Sequence, residues 1–237
     1  MLIRHQTTMN IGLLLGVTFL GILALIFSPV FGGGKNGLEY SDELFNKLAK
    51  GSSYFIPKLT GDLKGVENQE LAVSVKMENA DHAAMAAKIF SRAAPDTTSQ
   101  GVQLSIKGNL ARLLGAVLED SNSMYFNKGD EIREKYGMDE KEVMTTWWAA
   151  LNRTVKELQK SRKPEQYNII LEVMKKGIEP AYNFYKIDPQ RIAEKAFTVM
   201  GLLVFYVLYT LWWGFAIFYL FDGLGLSMTK ARVKQEV

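Results

Sequence analysis

The sequence predicts a mainly α protein, with two transmembrane helices flanking an extramembrane, mostly helical domain that has room for one small two-stranded β element. Three observations predict this. Two long apolar blocks near the ends of the 237-residue chain contain no charged residue. The segment between them holds nearly all the charge, and most of its apolar residues recur at helical spacing. Two short runs in that segment alternate apolar with polar, as half-buried strands do.

The first block, Ile11–Phe31, has 21 uncharged residues. About 20 apolar residues in helix cross a bilayer core. A cleaved signal peptide, with Arg4 and His5 as its basic start, is the alternative. The block is long for that, and Val30-Phe31-Gly32 is a poor substitute for a small-residue cleavage site. An uncleaved signal-anchor is therefore expected, ended by Pro29 and by Gly32-Gly33-Gly34. Gly12 and Gly16 lie four apart within it, the spacing that lets membrane helices approach closely. The second block, Phe197–Phe221, has 25 uncharged residues, ten of them aromatic. Phe205, Tyr209, Trp212, Ala216 and Tyr219 share one helical face, which reads as a packing face against another membrane helix.

The middle segment divides into elements. Ser41, followed by Asp42 and Glu43, reads as a helix start. Tyr54-Phe55-Ile56-Pro57 is an apolar patch just beyond the first span, placed to meet the membrane interface or a partner. Leu71–Met77 and Val102–Lys107 read as strands, each followed by a helix, over Asp81–Arg92 and Asn109–Glu119. Pro95–Gly101 reads as a loop. Val73–Lys76 and Leu104–Lys107 match faintly, so the two strand–helix units read either as a repeat or as a chance likeness. Gly137 stops one helix, and Asp139 with Glu142 starts the next, whose stripe is Val143, Trp147, Leu151, Val155 and Leu158. Trp148 falls one position round from that stripe, where it faces either a neighbouring helix or a partner. Pro164 opens a further helix, which Pro180 kinks or ends. Asp188-Pro189 reads as the start of a helix of roughly 50 Å running unbroken to Phe221, which would extend several turns out of the membrane as a stalk.

Composition excludes several classes. With no Cys, disulfide scaffolds and Cys-ligated metal or iron–sulfur sites are out. The net charge of +3 is partly in the tails, at Arg4, Lys230, Arg232 and Lys234. The nearly neutral middle argues against nucleic-acid binding. Of the two histidines, His5 lies on the tail and His82 at a helix start, so neither span offers a haem ligand and no cofactor is expected. Gly32–Gly37 lacks the spacing of a phosphate loop, and Ser227-Met-Thr-Lys230 lacks companion motifs. The acidic residues from Asp130 to Glu142 interleave with Lys128, Arg133, Lys135 and Lys141, as on a solvated face. No metal site or catalytic set emerges.

Lys and Arg in short flanks bias orientation, and both tails are basic. The expected layout is a cytoplasmic N-terminal tail over 1–10, spans over 11–31 and 197–221, an extracytoplasmic domain over 32–196 and a cytoplasmic C-terminal tail over 222–237. That domain is periplasmic if the cell is Gram-negative. The expected role is a non-catalytic accessory or scaffold subunit of a larger complex in the cell membrane. Its partners would be the bilayer and other integral membrane subunits, or further copies of itself. Contacts are expected through Gly12, Gly16 and the aromatic face, and through Tyr54, Phe55 and Trp148 on the domain. The alternative is an extracytoplasmic sensor or ligand-binding module signalling through a separate partner.

Overall fold

The computed structural model describes residues 4–226. The Ser227–Lys230 stretch and the C-terminal basic residues named above lie outside them. The fold is predominantly helical with one small sheet. It divides into two units, one made of the chain up to Phe45 together with Arg191 onward, the other of Asn46–Gln190.

Helix α1 covers Gln6–Phe27. It begins before the apolar block and stops short of the block's end at Phe31, because Pro29 cannot continue a helix. Ser28 Oγ closes its last turn by donating to the Ala24 carbonyl at 2.6 Å. The following turn is closed by Phe31 pairing with Lys35, and Gly33 and Gly34 adopt φ of 77° and 73° there, a region that glycine enters without a Cβ clash. Helix α2 covers Gly37–Ser52. Its cap is Asn36, not the expected Ser41. The Asn36 side chain accepts from the amides of Leu38 and Glu39 at 2.9 Å, and Glu39 accepts from the Asn36 amide at 3.0 Å. This reciprocal capping box starts the helix earlier and leaves Ser41 inside it.

Within Asn46–Gln190, α3 (Ile56–Asp62) leads through a 3₁₀ turn to β1 (Glu70–Lys76), α4 (Ala80–Phe90), β2 (Thr98–Gln100) and β3 (Gln103–Asn109). The sheet is antiparallel in the order β1-β3-β2. It therefore has three strands, not two. The Pro95–Gly101 stretch expected to be loop contains β2, which forms a hairpin with β3 across Gly101 and Val102. Thr98-Ser99-Gln100 has no apolar side chain to bury, so alternation could not reveal it. Val73 faces Ile106 and Val75 faces Leu104. Their likeness follows from neighbouring strands sharing one covered face, on which Leu71, Val75, Leu104 and Ile106 are buried. β1 and β3 each pass to an Asn-capped helix: Asn79 accepts from the His82 amide and Asn109 from the Arg112 amide.

Helices α5 (Leu110–Tyr125), α6 (Gly129–Tyr136) and α7 (Glu140–Lys160) complete the core with α4 and the sheet. The α7 stripe read from the sequence is buried at every position, and on α5 Leu110, Leu113, Leu114, Val117 and Leu118 are buried likewise. Trp147 packs on Phe90 at 4.3 Å between ring centres. Its Nε1 donates to Asp120 at 2.9 Å, and the same carboxylate accepts from Tyr136 Oη at 2.6 Å and Lys135 Nζ at 2.8 Å. A buried indole needs such an acceptor, and Asp120 on α5 supplies it inside the core. Helix α8 (Pro164–Val173) continues through one wide π turn into α9 (Glu179–Asn183). The Glu179 amide there donates back to Met174, so the wide turn absorbs Pro180, which has no amide to give.

The long helix expected from Asp188 does not form. After a 3₁₀ turn over Ile192–Lys195, α10 covers Ala196–Gly223. Tertiary hydrogen bonds hold the residues before it. The Lys186 amide donates to Asn127 Oδ1 at 2.8 Å, Asn127 Nδ2 reaches Asp188 at 3.3 Å, and the Gln190 amide donates to the Lys47 carbonyl at 3.0 Å. The Asp188 side chain is thus engaged away from a cap position.

Glu140 departs from the solvated face expected of its acidic stretch, because its side chain is only 4 % exposed. It accepts from Arg133 Nη2 at 2.5 Å and Tyr185 Oη at 2.9 Å. The bond from Arg133, with its own backbone amide and Tyr185 assisting, holds its carboxyl down at about 2, while burial and the adjacent Glu140 push Tyr185 up to about 12. A carboxyl lowered on folding contributes stability that is full above its unfolded value of 4.5 and is lost as pH falls toward about 2. Glu140→Gln should therefore be less stable than the wild type at pH 7, with the gap closing across that acid range in thermal denaturation. A gap that persists at the lowest pH contradicts this assignment.

Candidate functional site

Four of the residues singled out in the two apolar blocks, Gly12, Tyr209, Trp212 and Ala216, meet in one place. Helices α1 and α10 run antiparallel, and both are long and apolar enough to cross a membrane. The amides of Arg4 and His5 donate to the Gly223 carbonyl at 2.9 and 3.1 Å, joining the start of one helix to the end of the other. A Cβ on Gly223 would sit 2.8 Å from Met9, and one on Gly12 would sit 2.7 Å from the Leu220 backbone nitrogen. Two glycines thus let the backbones touch. Further along, Trp212 Nε1 donates to the Leu15 carbonyl at 3.1 Å and Tyr209 Oη to the Phe19 carbonyl at 3.2 Å. The Phe19 ring stacks on Tyr209 at 4.2 Å and on Trp213 at 4.7 Å. In an apolar medium these donors need internal acceptors, and α1 provides them from its own backbone.

Gly12, Tyr209, Trp212 and the fully buried Ala216 therefore lie on the contact between the chain's own two helices. Gly16 does not, since a Cβ there would meet nothing within 4 Å. Phe205 stacks on Tyr209 at 5.3 Å and stays exposed, and Tyr219 sits half-buried against Phe218. Met9, Phe19, Trp213 and Gly223 belong to the contact and escaped sequence reading. Phe19 lies four residues after Leu15 on the same helical face, a spacing that could have identified it.

On the domain, Tyr54 packs on Tyr125 at 4.9 Å and on Phe126 at 5.3 Å, and its hydroxyl donates to Asn122 at 2.9 Å. Phe55 stands exposed at the start of α3. Trp148 is engaged separately, donating to Glu179 at 3.1 Å beside an open groove of about 310 Å³ lined by Met144, Ile178 and Tyr182.

The most enclosed cation among the described residues is Lys50, with no exposed surface. Its amine donates to the Ile187 carbonyl at 2.5 Å and Asn127 Oδ1 at 3.0 Å, over the Tyr125 ring. Tyr125 Oη in turn donates to the Lys50 carbonyl. Burial lowers the Lys50 pKa, against the opposing pull of Asp188. A Cβ on Gly51 would collide with the Gln190 backbone, so the chain entering this unit lies directly on the chain leaving it. Lys50 holds main chain here and offers no open face to a substrate. Among the described residues no three His, Asp or Glu side chains converge as metal ligands. The His82 ring lies 3.7 Å from the Glu78 carboxylate.

Gly12 and Gly16 of the first helix separate by experiment. Gly12→Leu forces the helix backbones apart and should cost about 1–3 kcal/mol, the usual range for overpacking. Gly16→Leu meets open space and should stay within about 0.5 kcal/mol. Thermal unfolding of the full chain in mild detergent reads both, and equal losses would contradict the helix contact. The sequence matches no protein-family model and no curated protein, and the fold matches no solved structure.

Proposed function

We propose that the chain is a non-catalytic, membrane-anchored accessory or scaffold subunit of a larger membrane protein complex. The carrying observation is the helix pair. One face of each helix is satisfied inside the chain, and broad apolar surface remains on the others, including Leu13, Leu14 and Val17 on α1 and Leu211 and Phe215 on α10. Gly16, Gly201 and Gly214 open onto that free surface. Small residues there permit close approach by further membrane helices.

In this reading α1 is an uncleaved signal-anchor and both termini are cytoplasmic, following the Arg4 and C-terminal Lys/Arg bias. The domain over 32–196 is then extracytoplasmic, with Tyr54, Phe55 and Trp148 as its exposed aromatic contacts. Tyr and Trp, large rings carrying one polar atom, are common anchors at protein interfaces. The partners are other integral membrane subunits, with assembly into a homo-oligomer as the alternative.

Purification from native membranes in mild detergent tests the proposal. The chain is expected to co-migrate with at least one other membrane protein, and cross-links from it should map to the Gly16 face or to Trp148. A chain that runs alone as a monomer overturns it.

A further inference from the structure

Past Tyr209, the space between α1 and α10 opens into an apolar groove of about 600 Å³. It lies at the end of the helix pair from which the chain continues into α2. Three helices wall it: the last turns of α1 through Ile22 and Ile26, the first turns of α10 through Leu202 and Tyr206, and the start of α2 through Leu38 and Phe45. Tyr209 forms one end, its ring stacked between Phe19 and Phe205. The only side-chain polar atoms among the lining residues are the hydroxyls of Ser41, Tyr206 and Tyr209, and the last is already bonded to Phe19.

The third wall makes this a built cleft. Helix α2 is fixed at its start by the Asn36 capping box and the Phe31–Lys35 pairing. Gly37 lets it come close: a Cβ there would press on Ile26 at 3.1 Å and on the Phe31 ring at 3.2 Å. The volume lies in the range of small-ligand sites, about 300–1,000 Å³. A partner helix, roughly 10–12 Å across with its side chains, needs more room than a cleft enclosed on three sides by helices of this one chain gives. Hydrocarbon chains are the solvent of any span, and a narrow, uncharged cleft beside two spans takes one of them.

We infer that this groove holds one acyl chain of a bilayer phospholipid, retained between α1, α2 and α10 as a fixed part of the fold. The inference rests on the reading that α1 and α10 span a bilayer. The acyl chain comes from the leaflet at the end of the helix pair where α1 gives way to α2, because the groove lies at that end. The retained lipid then fills a space that the protein's own side chains leave open.

The test is photolabelling of the full chain in phosphatidylcholine vesicles doped with phosphatidylcholine bearing a mid-chain diazirine, with adducts mapped by mass spectrometry. Adducts should fall on Ile26, Leu38 and Leu202 several-fold more often than on the outward-facing Leu13 and Leu211. Leu202→Trp, or Ser41→Phe if the first variant is not recovered, should fill the groove and abolish its adducts while Leu13 and Leu211 stay labelled. Groove residues labelled no more than Leu13 and Leu211 overturn the inference and leave the spans in place. Absence of adducts from every residue of both helices overturns it together with the membrane reading.

Discussion

The amine of Lys50, shut off from solvent, is bonded to the carbonyl of Ile187 and the side chain of Asn127. An amine in that position must be fully hydrogen-bonded or its burial is strongly unfavourable. Its partners come from the segments where the chain turns at the end of α5 and where it leaves the domain. Asn127 and Lys186 both adopt left-handed backbone, with φ of 62° and 66°, to present these acceptors. Together with Gln190 bonded to Lys47, this closes residues 46–190 into a loop whose two ends touch. A domain closed in this way returns the chain to its starting point, so a second apolar helix can follow at no cost in connecting length.

The helix pair depends on the same economy of backbone approach. Gly12 and Gly223 bring main chain to main chain, and the two aromatic donors of α10 then reach carbonyls of α1. Neither the Trp212 nor the Tyr209 bond is available to a helix held farther away. Packing and polar satisfaction are therefore one feature, which suits a setting where water cannot supply the missing partners. At the other end the helices part, and the capped start of α2 stands against the opening.

Much of this architecture is legible in the sequence. The two long apolar helices show as charge-free blocks, and the α5 and α7 stripes show because Leu110, Leu113, Leu114, Val117 and Leu118, and Val143, Trp147, Leu151, Val155 and Leu158, recur at helical spacing. What escapes is set by contacts distant in sequence. Asp120 reads as one more acidic residue until Trp147 and Tyr136 arrive on other helices. Asp188-Pro189 is a sound local start signal, overridden by bonds to Asn127 and Lys47. Asn36 outcompetes Ser41 because Glu39 completes its box, a pattern visible in the sequence and masked by the acidic pair after Ser41. Gly12 and Gly16 are equivalent in the motif, yet four residues leave them about 40° apart round the helix. Only the position of α10 decides which one is covered.

Hydrogen–deuterium exchange on the full chain, compared with Lys50→Met, tests the closure of the domain most directly. Methionine keeps most of the aliphatic stem and removes the donor. The amides of Lys186 and Gln190 should then exchange roughly ten-fold faster or more, as expected when buried acceptors lose their partner, while the amides of α5 and α7 keep their protection. Unchanged exchange at Lys186 and Gln190, or an equal loss of protection throughout residues 46–190, would contradict the role assigned to Lys50.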